Sequence, residues 1–181
     1  MPLASVIFDA RAAGAKLPRS MVLFEQAARR WQGGYELLLV DDTGDRRLPD
    51  LAQRYQVMLV SCSAANLGSR FNAAVRVSRG DVLLFPGLGD RRAVDWLSLR
   101  LIDLDLEPES GWDAAVLPVR RHSWLRWWWL LQRPSPLDTF WVARDWFERI
   151  GGFDPQLGSD ALPDLLERLR ACQARVSIET A

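Results

Sequence analysis

The chain has 181 residues, 49% of them apolar, which suits one domain with a substantial core and leaves no long polar tract for a disordered tail. Its 23 basic and 23 acidic side chains cancel, so no global field draws it to nucleic acid, and electrostatic recognition has to be local. Every cation except Lys16 is Arg, a bias that coding composition explains, although Arg also favours planar partners such as phosphate. The two cysteines, Cys62 and Cys172, have neither C-x-x-C nor Cys/His spacing, so neither a disulfide scaffold nor a zinc site is expected, and a reducing cytoplasm fits. The first residues reach Asp9 without the charged start and long apolar stretch of a secretory signal. No apolar run approaches the roughly 20 residues of a membrane-spanning helix. The expectation is a cytoplasmic protein that is not integral to a membrane, with peripheral association at the inner face left open.

Apolar runs alternate with amphipathic stretches, the pattern of βα units around a mainly parallel sheet. Strands are expected over Leu3–Asp9, over Tyr35–Asp41 after the Gly33-Gly34 turn, over Val57–Ser61, and over Asp81–Phe85 after Gly80. Helices are expected over Arg19–Trp31, from Pro49, and over Gly68–Ser78. Further on come a helix around Ala93–Leu104, a strand over Asp113–Val119 and a Trp-rich stretch over Arg120–Arg133. A strand over Asp138–Ala143 and a short helix over Arg144–Ile150 follow, then a break at Gly151-Gly152. A helix over Leu162–Cys172, with Pro163 in its first turn, and a strand over Arg175–Ile178 complete the chain. There is no internal repeat and no linker, so 1–181 reads as one α/β domain.

In open α/β sheets ligands bind beyond the carboxyl ends of the strands, which makes Asp9, Asp41 and Asp42 candidate binding groups. Leu37 to Asp45, reading LLLVDDTGD, resembles the V-D-D-G-S-x-D element of family 2 glycosyltransferases, which holds the base and ribose of a nucleotide sugar. A carboxylate accepts from base N–H groups and ribose hydroxyls; the plain alternative is an acidic turn. Asn66 to Ala74, reading NLGSRFNAA, with Arg79 to Phe85, reading RGDVLLF, is similar to the family's N-x-G-x-x-x-x-N-x-G and A-x-G-D-x-L-x-F segments. There a glycine before a helix lets backbone N–H groups approach an anion, and Arg70 and Asn72 are candidate diphosphate or sugar contacts. Otherwise Arg70 is a solvated helix residue. Phe140 to Asp154, reading FWVARDWFERIGGFD, resembles the F-x-x-R-x-x-F-x-x-x-G-G-F-D block. The three matches run in the family's order along nearly the whole chain. They imply a GT-A fold, with a mainly parallel central sheet flanked by helices, a nucleotide-diphosphate sugar as donor, and a lipid-linked or glycan acceptor.

Three places depart from the family. Its D-x-D motif binds a divalent cation such as Mg or Mn, but here Phe85-Pro86-Gly87-Leu88-Gly89-Asp90 puts glycine at both acidic positions. Losing both carboxylates removes most of the affinity for a hard cation, so no metal ligand is expected. Asp90, one residue later, is the remaining candidate and is read as a solvated or helix-capping Asp. The family's catalytic base is an Asp following the G-G-F-D block. Asp160 takes that place only with a small loop insertion, and is equally a helix cap, while Asp164 matches a later acid. The opening strand ends in Phe8-Asp9-Ala10-Arg11 where the family has an aromatic. Two functions stay open: a sugar transferase acting with inversion, in which Arg side chains replace the metal charge, and a non-catalytic relative serving as a binding or scaffold module.

The Trp-rich stretch has four Trp, four Arg and no acid. As a helix it places Trp124, Trp127, Trp128 and Leu131 on one face with Arg126 opposite. That suits a membrane interface, or packing on the core or on another subunit. His122, the only histidine, has no partnered Ser or Cys motif and reads as structural.

Overall fold

The computed structural model describes residues 4–29, 34–87, 111–118 and 138–178. The expected helix at Ala93–Leu104, Asp90, His122 and the Trp-rich stretch with Trp124, Trp127 and Trp128 lie outside the described residues.

Strand β1 (Ala4–Asp9) is buried along its whole length, as expected of a central parallel strand covered on both faces. β2 (Tyr35–Asp41) and β4 (Val82–Phe85) flank it in parallel, and β3 (Met58–Ser61) pairs in parallel with β2. β6 (Thr139–Ala143) runs antiparallel between β4 and β5 (Ala114–Leu117), and β7 (Val176–Ile178) lies parallel to β5. The sheet order is β3-β2-β1-β4-β6-β5-β7. The mainly parallel sheet flanked by helices is as the sequence implied. The reversal at β6 is not encoded in any one apolar run.

The described helices are α1 (Ala10–Ala13), α2 (Leu17–Ala28), α3 (Leu48–Arg54), α4 (Leu67–Val77), α5 (Arg144–Arg149) and α6 (Ala161–Ala171). Two core layers follow from the period-2 alternation of the strands. Val6, Phe8, Leu39, Leu84 and Trp141 face one way, packing with Leu17, Met21 and Phe24 of α2 and Ala52 of α3. Ile7, Leu38, Val40, Leu83, Phe85, Phe140 and Val142 face the other, packing with Phe71 and Ala74 of α4 and Leu162, Leu165 and Leu169 of α6. One element lies outside the expected pattern: the chain turns into α1 directly at Asp9, whose side chain accepts the Arg11 N–H and caps it, and a 3-10 turn at Gly14–Lys16 leads into α2.

Candidate functional site

Strand parity decides which acids at the carboxyl edge meet. Asp9 shares its face of β1 with Ile7, so it points at α4. Asp42, in phase with Leu38 and Val40, does the same from the end of β2. Arg70, in the first turn of α4, lies between them. Its Nε donates to Asp9 Oδ1 and Oδ2 at 3.2 Å each, its Nη2 to Asp9 Oδ2 at 2.7 Å, and its Nη1 to the Ala65 carbonyl at 2.5 Å. Nη1 also lies 3.6 Å from Asp42 Oδ2. The side chains of Asp9, Asp42 and Arg70 are 2%, 3% and 5% exposed, so Arg70 is a buried ion-pair partner and not the solvated helix residue that was the alternative. A buried charge is tolerated only when paired and hydrogen-bonded, which this arrangement supplies.

Arg11 joins from the other side. Its Nε donates to Asp42 Oδ1 at 3.0 Å and Oδ2 at 2.8 Å, while its own side chain is 55% exposed. Hydrogen bonding to Asp42, and then the charge of that carboxylate, raises the Arg11 guanidinium above its ordinary value. Sequence reasoning passed over Arg11 as part of a degraded strand end. Its signal was a cation two residues past a strand-ending acid.

Asp41 is on the opposite parity. Its Oδ1 accepts from the Thr43 N–H and hydroxyl, both at 2.7 Å, closing the turn that carries Asp42. Asp45, the last acid of the LLLVDDTGD run, is lowered to about 2 by hydrogen bonds from the Arg47 side chain and backbone.

The second and third motifs meet each other. Asn72 Nδ2 donates to the Phe153 carbonyl at 2.7 Å, and its Oδ1 accepts the Phe153 N–H at 3.0 Å. The Gly68 N–H, expected to face an anion, donates instead to the Leu157 carbonyl at 3.1 Å. A Cβ at Gly68 would overlap the Asp154 carbonyl oxygen, so the glycine admits backbone where a phosphate was expected. Asn66 and Ser69 add bonds to the Gln156 and Pro155 carbonyls at 3.1 and 2.8 Å. At the other end of α4, Arg144 of α5 holds the Gly80 carbonyl (2.5 Å) and the Ser78 hydroxyl (2.7 Å). The motif residues thus form a frame that fixes α4, and with it Arg70, against β1.

Past the end of β4 the Gly87 N–H donates to Thr139 Oγ1 at 2.8 Å. The β4–β6 register, with Phe85 opposite Phe140, carries on to set Asp138 level with Gly87. Asp138 is 8% exposed and was not singled out from the sequence; its signal was an acid opening an apolar run. It lines a small pocket with Leu67, Phe71, Phe85, Phe153 and Leu162 whose free space, about 20 Å³, is on the order of one water. Gly87, at the first acidic position of the D-x-D motif, brings no carboxylate, and among the described residues no three His, Cys, Asp or Glu side chains gather as a metal site.

Asp160 is exposed at the N-cap of α6 and makes no capping bond. Leu162, two residues on, lines the pocket at the end of β4, which puts Asp160 on the same edge of the sheet. Asp164 accepts from Arg168 Nε at 2.9 Å and Nη2 at 2.6 Å, and Arg168 Nη1 donates to the Ile150 carbonyl at 2.8 Å. Among the described residues no helix is long and apolar enough to cross a membrane.

No family model matches the sequence, and no curated protein matches it. Solved structures do. A mannosyltransferase from Pyrobaculum calidifontis, solved with GDP-Man and Mn2+, aligns over 98% of this chain and 55% of its own, at 14% identity and TM-score 0.68. Glucosyl-3-phosphoglycerate synthase from Mycobacterium tuberculosis, solved with Mn2+, UDP and glucosyl-3-phosphoglycerate, aligns over 98% of this chain and 69% of its own, at 15% identity and TM-score 0.71. A cytidylyltransferase from Leptospira borgpetersenii aligns over 100% and 76%, at 12% identity and TM-score 0.57. The chain therefore spans little more than half the length of the mannosyltransferase. The likeness also takes in a nucleotidyltransferase, so at such identities it fixes architecture and not reaction. The order of strands, the reversed β6 and these neighbours together establish that the chain has the GT-A fold of nucleotide-diphospho-sugar transferases.

Proposed function

We propose that residues 1–181 act as one domain that binds a nucleotide-diphosphate sugar at the carboxyl ends of β1 and β2. The observation that carries this reading is the buried cluster of Asp9, Asp42 and Arg70 with Arg11 at its rim, beside the β1–β4 switch in strand order. In this reading the Asp42 carboxylate takes ribose or base donors, with Asp41 shaping its turn. Asp9 and Arg70 form the charged floor, and Asn72 holds the loop beneath. Guanidinium groups meet the diphosphate, so binding does not depend on Mg or Mn.

The reaction proposed is transfer of the sugar, with inversion, to a hydroxyl of a lipid-linked or glycan acceptor. Asp160 serves as base, because it is exposed and unengaged among the described residues whereas Asp164 is committed to Arg168. A second reading, a binding module without turnover, is favoured by Gly87 standing where the family has a carboxylate. Peripheral contact with the inner face of a membrane, or with a second subunit, is assigned to Trp124, Trp127 and Trp128. Equal flotation with liposomes of wild type and the Trp127→Ser/Trp128→Ser variant would count against the membrane.

Calorimetric titration with UDP- and GDP-sugars, in EDTA and then in Mn2+, tests the binding reading: equal affinity in both is expected, and no binding of any donor sinks it. Turnover that Asp160→Asn abolishes supports the transferase; binding without turnover supports the module.

A further inference from the structure

We propose that Arg11 is a displaceable counter-ion that the nucleotide exchanges from Asp42 to its own diphosphate. This rests on the nucleotide-binding reading above and adds how the site opens. Asp42 has a side chain only 3% exposed, and the single Nε–H of Arg11 is shared between both of its carboxylate oxygens, so the exposed approach to the carboxylate that a ribose would take is occupied by Arg11. The two cations on it differ in freedom. Arg70 is anchored by Asp9 and the Ala65 carbonyl and cannot leave without exposing buried charge. Arg11 uses Nε alone: among the described residues its Nη1 and Nη2 make no hydrogen bond, and its side chain is 55% exposed. With its cation half in solvent and held through one N–H, such a pair is open to replacement by a ligand that brings its own donors to Asp42.

A nucleoside diphosphate carries both halves of the exchange. Its ribose hydroxyls are donors that satisfy Asp42 once Arg11 moves off. Its diphosphate is an acceptor that takes the released guanidinium through the two terminal nitrogens, the bidentate geometry for which Arg is suited. Arg11 keeps an anionic partner throughout, and Asp42 exchanges one donor for others, so neither group is left without a hydrogen bond. A nucleoside alone has to displace Arg11 with nothing to receive it, and pyrophosphate alone has to win Arg11 from Asp42.

The exchange predicts effects of opposite sign, read by titration calorimetry in EDTA with three probes: uridine, pyrophosphate and UDP, repeated with guanosine and GDP. Arg11→Ala should tighten the nucleoside roughly two- to fivefold and weaken the diphosphate roughly tenfold or more. Asp42→Asn should tighten pyrophosphate, by freeing Arg11, while weakening the nucleoside. Circular dichroism and urea midpoints of both variants establish that the fold is retained. If Arg11→Ala leaves UDP and GDP affinity unchanged, or weakens nucleoside and diphosphate alike, the exchange is overturned while nucleotide binding stands. If the wild type binds none of the probes, both readings fall.

Discussion

Arg70 and Asp9, separated by 61 residues, form a buried ion pair in which Nη2 approaches Oδ2 to 2.7 Å and Nε straddles both carboxylate oxygens. The pair joins the first turn of α4 to the end of β1. Removing one member leaves the other's buried charge without its nearest counter-ion. Arg70→Met is therefore expected to lower stability by about 3–5 kcal/mol, and Asp9→Asn/Arg70→Met to recover a large part of that loss. Urea unfolding of the four members of this cycle measures it. A loss below about 1 kcal/mol in Arg70→Met would mean that water reaches the pair.

Asn72 makes two bonds to one residue, and both depend on the amide having a donor and an acceptor. Asn72→Asp keeps the acceptor for the Phe153 N–H but turns an oxygen toward the Phe153 carbonyl. A cost of about 1–3 kcal/mol is expected, against at most about 1 kcal/mol for Ser69→Ala, whose lost bond to the Pro155 carbonyl is exposed. Thermal unfolding of the two variants checks the order, and a larger loss at Ser69 would contradict the bracing role given to Asn72.

These two sites show what the sequence could and could not reveal. The strands were legible because fully buried parallel strands are short apolar runs, and the ends at Asp9 and Asp41 came out correctly because the apolar run stops at those acids. The partner of each acid was not legible. Parity separates Asp42 from Asp41, but only the crossing of α4 over β1 brings Arg70 to Asp9, a contact with no local signature. Gly68 was read as an anion approach because a glycine at a helix start lets backbone N–H groups come close to a phosphate. The structure fills the same space with the Asp154 carbonyl. A requirement for glycine records that something comes close, not what comes. Asp164 was a candidate base by spacing, yet it faces Arg168 one turn along its own helix.

Acid sensitivity is expected at the β5–β7 edge. Burial raises the Asp113 carboxyl, but the Arg175 backbone N–H and guanidinium together with the Trp146 indole outweigh it and leave it below the usual carboxylate value. The unfolded chain then binds more protons than the folded one between the two values. The stabilisation from Asp113 is thus complete above the unfolded value near about 3.9 and is lost as pH falls through the folded one. With Arg175 largely exposed, the effect is on the order of 1 kcal/mol or less. Urea midpoints of wild type and Asp113→Asn should differ at pH 6 and converge toward pH 3. A constant difference would assign the loss to packing.

Gly68 offers a way to disturb the charged floor without touching it. A methyl group there meets the Asp154 carbonyl, which is main chain and cannot swing aside as a side-chain tip can. Either the loop that carries Asp154 lifts or the start of α4 shifts, and Arg70, two residues on, shifts with α4. Overpacking against backbone should cost about 1–3 kcal/mol. Because the Arg70–Asp9 geometry would loosen, affinity for a nucleoside diphosphate should fall together with stability. Gly158→Ala is the control: nothing lies within 4 Å of a Cβ at Gly158, so the same substitution in the loop that follows Asp154 should leave both quantities nearly unchanged. Urea unfolding and UDP titration of the two variants separate the cases. If Gly68→Ala lowers stability but leaves the affinity of its folded fraction intact, the position of α4 does not govern the site, and the motif frame serves folding alone.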